Sequence, residues 1–516
     1  MNDITLIRSG TVVTNPALRE KGVIENGAVC VQGKRIVDVG PFSRMRENYP
    51  EAGMTGSENC IALPGFIDLH NHAQGLSTFS QGLMDLPLES WAVSWPRILD
   101  KPFDLGYWDT LVSASKQIRS GVTTTMPKRM DQPPRPLPEY EVEVDQVLRA
   151  YDLSGMRVFF AIGTTDKASQ FVYLDHDGFI AALPEEEKEI ALELSRPQNR
   201  ITLDQCLSVI EKLALRHRDS SRINVATAIT GPQWLSDAYL VPLVETATRL
   251  GIPIHGPILE SARQRMYAEK VLKKSVFEHF YDLGFLSPRT SFAHCVWVGK
   301  RDIEILADTG ATVVHCPSSN LRFFNGISPV AAMLERGVNV ALAVDSEGIN
   351  EDDDTFQEMR LASLLHRIPG GTVSPDEWDL LAMATVHGAT ALNMQEEIGT
   401  LEKGKLADLV LIQTDRITRE YFHPSIHPVT LLVRRGRPAD IDRVIIEGKT
   451  VYANGQFTNF SWEEAYQNLK DALGKVDWTR SLERAGRVSR LLPHIKTYYA
   501  RWRLEKEPFY LCNGRS

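Results

Sequence analysis

The sequence predicts an α/β protein: a (β/α)8 TIM barrel in the middle of the chain, joined to a small sheet domain built from both chain ends. Three observations predict it. Eight runs rich in β-branched and apolar residues recur between residues 66 and 345, with segments of helix length between them. Histidines or an aspartate close five of those runs, and five strand ends meet at one mouth only when the sheet closes on itself. Short runs that alternate apolar and polar residues flank this middle on both sides.

Taken in order, residues 4–7, 12–13, 28–31 and 35–39 read as a small antiparallel sheet with glycine punctuation, and residues 404–412 and 444–452 have the same character. The expected sheet domain is therefore 1–62 plus 397–457. The eight runs of the middle are 66–70, 122–126, 157–162, 223–229, 252–255, 291–296, 312–316 and 338–345, within an expected barrel of 63–396. Segments 203–216, 240–250, 264–283 and 303–309 have helical patterns. A doubly wound open sheet predicts a similar string, and only the polar strand ends favour the barrel. Residues 458–516 form an aromatic, basic extension that reads as helical from Trp462 to Trp502, suited to packing on the barrel or to a homo-oligomer contact.

With 516 residues the chain can bury a large core, and 43% hydrophobic and 24% charged residues suit a globular protein. A net charge of -9 argues against nucleic acid or an anionic membrane as the main partner, leaving a small molecule. The start Met1-Asn2-Asp3-Ile4 is not a secretory leader, and no apolar run has the length of a membrane span, so the expected location is cytoplasmic. Cys30, Cys60, Cys206, Cys295, Cys316 and Cys512 lack CxxC spacing, as expected of reduced thiols. The acidic block Glu351-Asp352-Asp353-Asp354 is expected to be a solvated loop.

The chemistry centres on Leu63-Pro64-Gly65-Phe66-Ile67-Asp68-Leu69-His70-Asn71-His72. In a strand, side chains at i and i+2 share a face, so His70 and His72 can offer two imidazoles to one ion. Standing alone, the motif reads more simply as a polar turn after a buried strand. Its company changes that reading. Asp345 closes the buried run 339–345, where a lone carboxylate is costly unless a cation or hydrogen bonds stabilise it; capping the next turn is the plainer alternative. A hydrolytic site of this type needs three or four N/O ligands, an open position for water and a general base.

Together with Ser120-Gly121-Val122-Thr123-Thr124-Thr125, Ala293-His294-Cys295-Val296-Trp297, His315-Cys316-Pro317-Ser318-Ser319-Asn320-Leu321, Ala343-Val344-Asp345 and Gly399-Thr400-Leu401-Glu402-Lys403-Gly404-Lys405-Leu406-Ala407-Asp408, this stretch resembles the amidohydrolase superfamily, in the branch of N-heterocycle aminohydrolases and chlorohydrolases. The resemblance implies a distorted (β/α)8 barrel with a terminal β-sandwich. It implies His70 and His72 as first-strand metal ligands and Asp345 as the eighth-strand ligand that also takes the water's proton. His294 would orient the water and substrate, and Glu260 would pass a proton to the leaving nitrogen. His315 and Asn320 resemble substrate-side groups, with a structural role as the alternative.

The fifth strand departs from the family pattern. Pro257 stands three residues before Glu260, where that pattern has a ligand histidine, and the only histidine nearby is His255. Positions 255 and 257 share a strand face, so a local shift at Gly256-Pro257 would bring His255 to the metal as a fourth ligand. Residues 223–230 contain no Lys or Glu of the kind that bridges two metals, which implies one divalent ion. Zinc is the first choice, with iron, cobalt and manganese using similar ligands. Met84, Leu86, Trp91 and Trp95 form either an apolar wall for a planar substrate or plain packing. The long segments 131–144 and 168–200 are expected to shape the pocket.

The expected reaction is metal-dependent hydrolysis of a C–N bond in a small cyclic or aromatic nitrogen compound, of the deaminase type. Cleavage of an amide, urea or carbamate is the alternative within enzymes. A non-catalytic ligand-binding barrel, motivated by Pro257, is the alternative outside them.

Overall fold

The computed structural model describes residues 4–502 apart from 96–97, 100, 131–134, 168–169, 197–199, 346–349, 368–373, 419–420 and 424. Cys512 and the ends of several expected loops therefore lie outside the described residues.

Eight parallel strands follow one another in sequence order: Phe66–Asn71, Val122–Met130, Arg157–Gly163, Ile223–Ala228, Ile254–Ile258, Thr290–His294, Thr312–His315 and Val340–Leu342. The last strand returns to the first, since the Asp345 N–H donates to the His70 carbonyl at 2.9 Å. Asp68 reinforces this seam. Its carboxyl accepts from the N–H of Val344 at 3.3 Å and from Gln117 Nε2 at 2.6 Å, and burial pushes its pKa up to about 7.

The strands read as continuous apolar runs because both faces are buried. Inward-facing positions are mostly small, with Ala161, Ala226, Ala228, Ala293, Ala341 and Ala343 in one interior cluster. Larger residues such as Phe66, Phe160, Phe292 and Val340 face outward under the helices. The interior is closed at the N-terminal end of the strands by helix Val386–Ala391, whose Gly388 lies against Ile67.

The helix Leu203–Arg216 starts at a capping box formed by Thr202 and Gln205. The segment expected to be one helix over 264–283 is instead Ala262–Tyr267, a wide turn Ala268–Leu272, and Val276–Asp282. The left-handed Lys273, with φ 58°, ends the first part, and a capping box of Ser275 and Glu278 starts the last. The acidic block is also only half solvated. Asp354 is buried because it caps helix Thr355–Leu365, accepting from the N–H of Phe356 at 2.9 Å, and Asp353 is buried beside it.

Both chain ends meet in a second eight-stranded sheet, in which Gly53–Pro64 pairs with Leu409–Gln413 from the far end of the chain. One pair departs from the antiparallel expectation: Ile4–Val13 and Gly53–Pro64 run parallel. The strands Val23–Gln32 and Arg35–Pro41 fill one side of the first strand, so the chain crosses over through helix Phe42–Asn48 to reach its other side. Arg157 ties this sheet to the barrel. Its fully buried guanidinium meets Asp408, Glu447 Oε1 at 3.2 Å, Thr124 Oγ1 at 3.2 Å and the Ser221 carbonyl at 2.9 Å.

Helices Trp462–Gly474 and Trp478–Ala500 form the C-terminal extension. Among the described residues, no helix is long and apolar enough to cross a membrane.

Candidate active site at the mouth of the barrel

The polar strand ends converge. Register shifts between Asp68 and Asn71 let the first strand turn His70 and His72 toward Asp345, with His72 Nε2 at 3.2 Å and His70 Nε2 at 3.5 Å from Asp345 Oδ1. His294 follows Phe292 by two residues, and strand parity would aim it outward with that ring; its left-handed φ of 71° turns it into the mouth instead. Asp345, with φ 53°, and Leu259, with φ 51° just before Glu260, are turned in the same way. His294 Nε2 then lies 3.7 Å from Glu260 Oε2 and 3.8 Å from Asp345 Oδ2. One ligand atom from each of His70, His294 and Asp345 falls within 4.8 Å of the others.

Hydrogen bonds behind these groups set what they present. His72 Nδ1 can only donate to the Lys128 carbonyl, 3.0 Å away, and His294 Nδ1 lies 2.9 Å from Asn320 Oδ1. Rings held this way turn Nε2 toward the carboxylates. Ser319 Oγ donates to Asp345 Oδ2 at 2.5 Å, while Asp345 Oδ1 is buried with no hydrogen-bond partner among the described residues. Burial would raise the Asp345 pKa, but His70, His294 and His72 outweigh it and hold the carboxyl far below its ordinary range. Burial pushes the His70 imidazole well down and the Glu260 carboxyl up. The imidazole nitrogens can stabilise the ionised Asp345 oxygen only with a proton or a cation between them, so the donor set fits a divalent metal.

The profile of the amidohydrolase family matches residues 61–451. This chain belongs to that family. A shorter match, to an imidazolonepropionase-like composite domain of bacteria, covers residues 27–52. The amidohydrolase is 28% identical to a 5-methylthioadenosine/S-adenosylhomocysteine deaminase of Syntrophobacter fumaroxidans, over 91% of this chain and 97% of that one. It is 29% identical to a 5'-deoxyadenosine deaminase of Methanothermobacter thermautotrophicus, over 86% and 93% of the two chains. In fold it is similar to an adenosine deaminase from Xanthomonas campestris solved with bound zinc, with a TM-score of 0.77 at 22% identity over 91% of this chain and 98% of the other. An atrazine chlorohydrolase from Arthrobacter aurescens, also with zinc, gives a TM-score of 0.72 at 18% identity over 91% and 100%.

The amidohydrolase's fifth strand does not make the local shift expected at Gly256-Pro257. Its register with the sixth strand runs unbroken from Thr290–Ile254 to His294–Ile258, and a Cβ on Gly256 would lie 2.1 Å from the Ile229 carbonyl oxygen, so the strand has no slack there. His255 accordingly sits behind His70: its Nε2 is 2.7 Å from His70 Nδ1 and its Nδ1 is 2.8 Å from Ser291 Oγ. Burial, helped by Lys128 and neighbouring histidines, pushes its pKa down to about 3. Both ring nitrogens of His255 are thus engaged, one by His70 and one by Ser291.

His315 is turned away as well, with its Nε2 3.0 Å from His366 Nε2 beyond the end of helix Thr355–Leu365. Asn320 touches His294 directly. Trp91 lies in an apolar cluster with Trp95, on which it stacks at 5.8 Å, and Phe323 at 5.0 Å. The indole Nε1 of Trp91 and Nδ2 of Asn320 are buried donors without a partner among the described residues.

Sequence reasoning missed Lys128 and Ser319. Lys128 is buried and alternates with Met126 and Met130 of the interior cluster, and its charge acts on His255 and Glu260. The second strand was expected to end at residue 126 but runs to Met130, which carries Lys128 into the barrel. The next residue, Arg129, donates to the His72 carbonyl at 3.0 Å and pairs with buried Glu143, which also meets Arg135 at 2.9 Å and Lys101 at 3.6 Å.

Burial alone would raise the Glu143 pKa, but Lys101, Arg129 and Arg135 bring it from 4.5 down to about 2. A depressed carboxyl contributes stability that is fully present above pH 4.5 and is lost as pH falls toward 2. Glu143→Gln is expected to cost about 3 kcal/mol at pH 7 and to flatten the acid side of the stability curve in that window. Denaturant unfolding across pH 2–6 measures it; an unchanged acid slope would contradict the assignment.

Proposed function

We propose that this amidohydrolase is a deaminase that uses one divalent metal, with zinc as first choice, to hydrolyse a C–N bond of a nitrogen heterocycle. The observation that carries the reading is the pair of histidine Nε2 atoms facing Asp345 Oδ1, an oxygen without a hydrogen-bond partner among the described residues, with buried Glu260 across His294. The deaminase relatives, which match 91% and 86% of the chain, support the reaction type.

His70, His72 and Asp345 would hold the ion, with His294 beside it. When bound, the metal supplies Lewis-acid activation of water and of the carbon under attack. Asp345 is kept ionised and takes the proton of the attacking water. Burial pushes the Glu260 carboxyl toward its protonated form, in which it donates to the leaving nitrogen. His294, fixed by Asn320, orients the water between the two carboxyl groups. Trp91 Nε1 and Asn320 Nδ2, both buried donors, take acceptor atoms of the ring, and the indole faces give a flat wall for it. Lys128 offsets the charge that Glu260 acquires once its proton has passed to the leaving nitrogen. We read His255 as the group that orients His70, through the chain His70–His255–Ser291. Free, buried Cys30, Cys60, Cys206, Cys295 and Cys316 support a reducing, cytoplasmic setting.

Elemental analysis and ammonia release test the reading together, on wild type and His255→Ala, with 5'-deoxyadenosine, 5'-methylthioadenosine and aminotriazines as substrates. We expect about one zinc per chain in both proteins, bound about 10- to 100-fold more weakly in the variant. Complete metal loss in His255→Ala would return that residue to the ligand set. Ammonia from none of the heterocycles, with turnover of a simple amide or urea, would replace deamination by the alternative reaction. A wild type that takes up no metal on reconstitution would leave only a binding barrel.

A further inference from the structure

The family profile stops at residue 451, leaving both C-terminal helices outside it. Helix Trp478–Ala500 nevertheless reaches the segments that carry the active-site groups. At one end, Arg484 donates to the carbonyls of Val93 at 3.1 Å, Ser94 at 3.4 Å and Trp95 at 3.3 Å, capping the last turn of helix Leu88–Ser94. A guanidinium on the final carbonyls of a short helix satisfies acceptors that no helical N–H can reach. That short helix carries Glu89 and Trp91.

At the other end, Tyr499 Oη accepts the Tyr173 N–H at 3.1 Å, and Tyr498 Oη donates to the Leu174 carbonyl at 2.5 Å. The Tyr173 hydroxyl in turn donates to Glu89 Oε1 at 3.3 Å. Glu89 also accepts from Ser261 Oγ and, at 3.1 Å, from Arg263, whose guanidinium lies over the Tyr499 ring at 5.3 Å. Ser261 follows Glu260, and the Glu260 N–H is held by Gln264 Oε1 at 2.9 Å. Tyr499, Tyr173 and Glu89 are all buried, so this chain of contacts runs through the interior. Leu259, left-handed with φ 51°, leads into the Glu260 turn, a conformation that persists only where neighbours hold it.

We propose that helix Trp478–Ala500 is a built-in part of the active site, with Tyr499 and Arg484 as positioning residues. Tyr499 holds the Glu260 turn through Tyr173 and Glu89; Arg484 holds the Trp91 wall through helix Leu88–Ser94. The inference rests on the reading of Glu260 as proton donor and Trp91 as ring wall, and it gives the extension a role in catalysis and substrate fit. The two contacts have separable consequences. Loosening the donor lowers kcat, because a small misplacement of a reacting group is costly while binding is kept. Loosening the wall raises KM.

The test uses full-length Tyr499→Phe, Tyr173→Phe, Arg484→Met and Arg484→Lys, all loaded with zinc. Hydrogen exchange of residues 88–95 and 259–267 is followed beside kcat and KM for the panel substrate that wild type turns over best. For Tyr499→Phe and Tyr173→Phe we expect faster exchange in 259–267 and kcat down by about tenfold with KM kept. For Arg484→Met we expect faster exchange in 88–95 and KM up by about tenfold, with Arg484→Lys recovering part of it. Zinc content and oligomeric state stay those of wild type. Unchanged exchange in both segments overturns the proposal. So do a kcat loss that disappears when rates are normalised to the folded, zinc-loaded fraction, which marks general destabilisation, and dissociation of an oligomer without local exchange changes, which marks a subunit interface. A wild type that releases ammonia from no substrate defeats the deaminase reading, and the exchange arms then decide alone whether the helix holds these two segments.

Discussion

On the proposed reading, Asp345→Asn is expected to lower turnover by about three to four orders of magnitude and to empty the metal site. The side chain is nearly isosteric and keeps its place at the seam, where the backbone N–H of residue 345 bonds to the His70 carbonyl and Ser319 Oγ reaches the outer oxygen. What it loses is the charge. In the native protein that carboxyl is held far below its ordinary range despite its burial, so in the proposed reading it would serve both as an anionic donor to a cation and as an acceptor for a proton. An amide does neither, and its Nδ2 would turn a hydrogen toward His72 Nε2, now 3.2 Å from Oδ1. Stopped-flow or endpoint ammonia assays with parallel zinc analysis read the result. A variant that keeps its metal and a tenth or more of its activity would remove Asp345 from both roles.

Arg157→Met costs about 3–5 kcal/mol of stability, because it strands two carboxylates in the seam between the barrel and the terminal sheet. Asp408 accepts the Glu447 N–H at 2.8 Å and Glu447 keeps Lys34 at 2.9 Å, but neither replaces the guanidinium that lies between them. The deficit is largest at neutral pH and shrinks on acidification, since protonating the stranded carboxyls removes the uncompensated charge. Adding Asp408→Asn and Glu447→Gln recovers a good part of the loss at pH 7. Denaturant unfolding of the single and triple variants settles it; a loss below about 1 kcal/mol would mean that the seam is held by apolar packing alone. The mouth lies at the other end of the strands, so metal content in the folded fraction stays unchanged.

The architecture was legible because it rests on local signals. Eight runs of apolar and β-branched residues become eight strands because a parallel sheet buried on both faces demands them, and all eight appear in the structure. Boundaries were less legible. Thr123, Thr124 and Thr125 point to a strand, but nothing local says that Pro127, Lys128 and Arg129 continue it, and Lys128 was lost with them. The 264–283 segment has one helical period throughout, while the break at Lys273 depends on a single left-handed residue and the cap that follows.

The sequence by itself determined the strand runs, the His70-Asn71-His72 spacing, the carboxylate at the end of the eighth strand and the absence of a histidine at position 257. These are properties of neighbours a few residues apart, where backbone periodicity decides which side chains share a face. The tertiary structure alone decided which groups meet across the barrel. His255 lies 185 positions from His70 yet fills its second nitrogen, and His315 finds His366 rather than the mouth. Parity aims His294 outward until a left-handed strand end turns it in. Closure of the sheet and positive φ at strand ends are held by contacts from all parts of the chain, and no window of the sequence contains them.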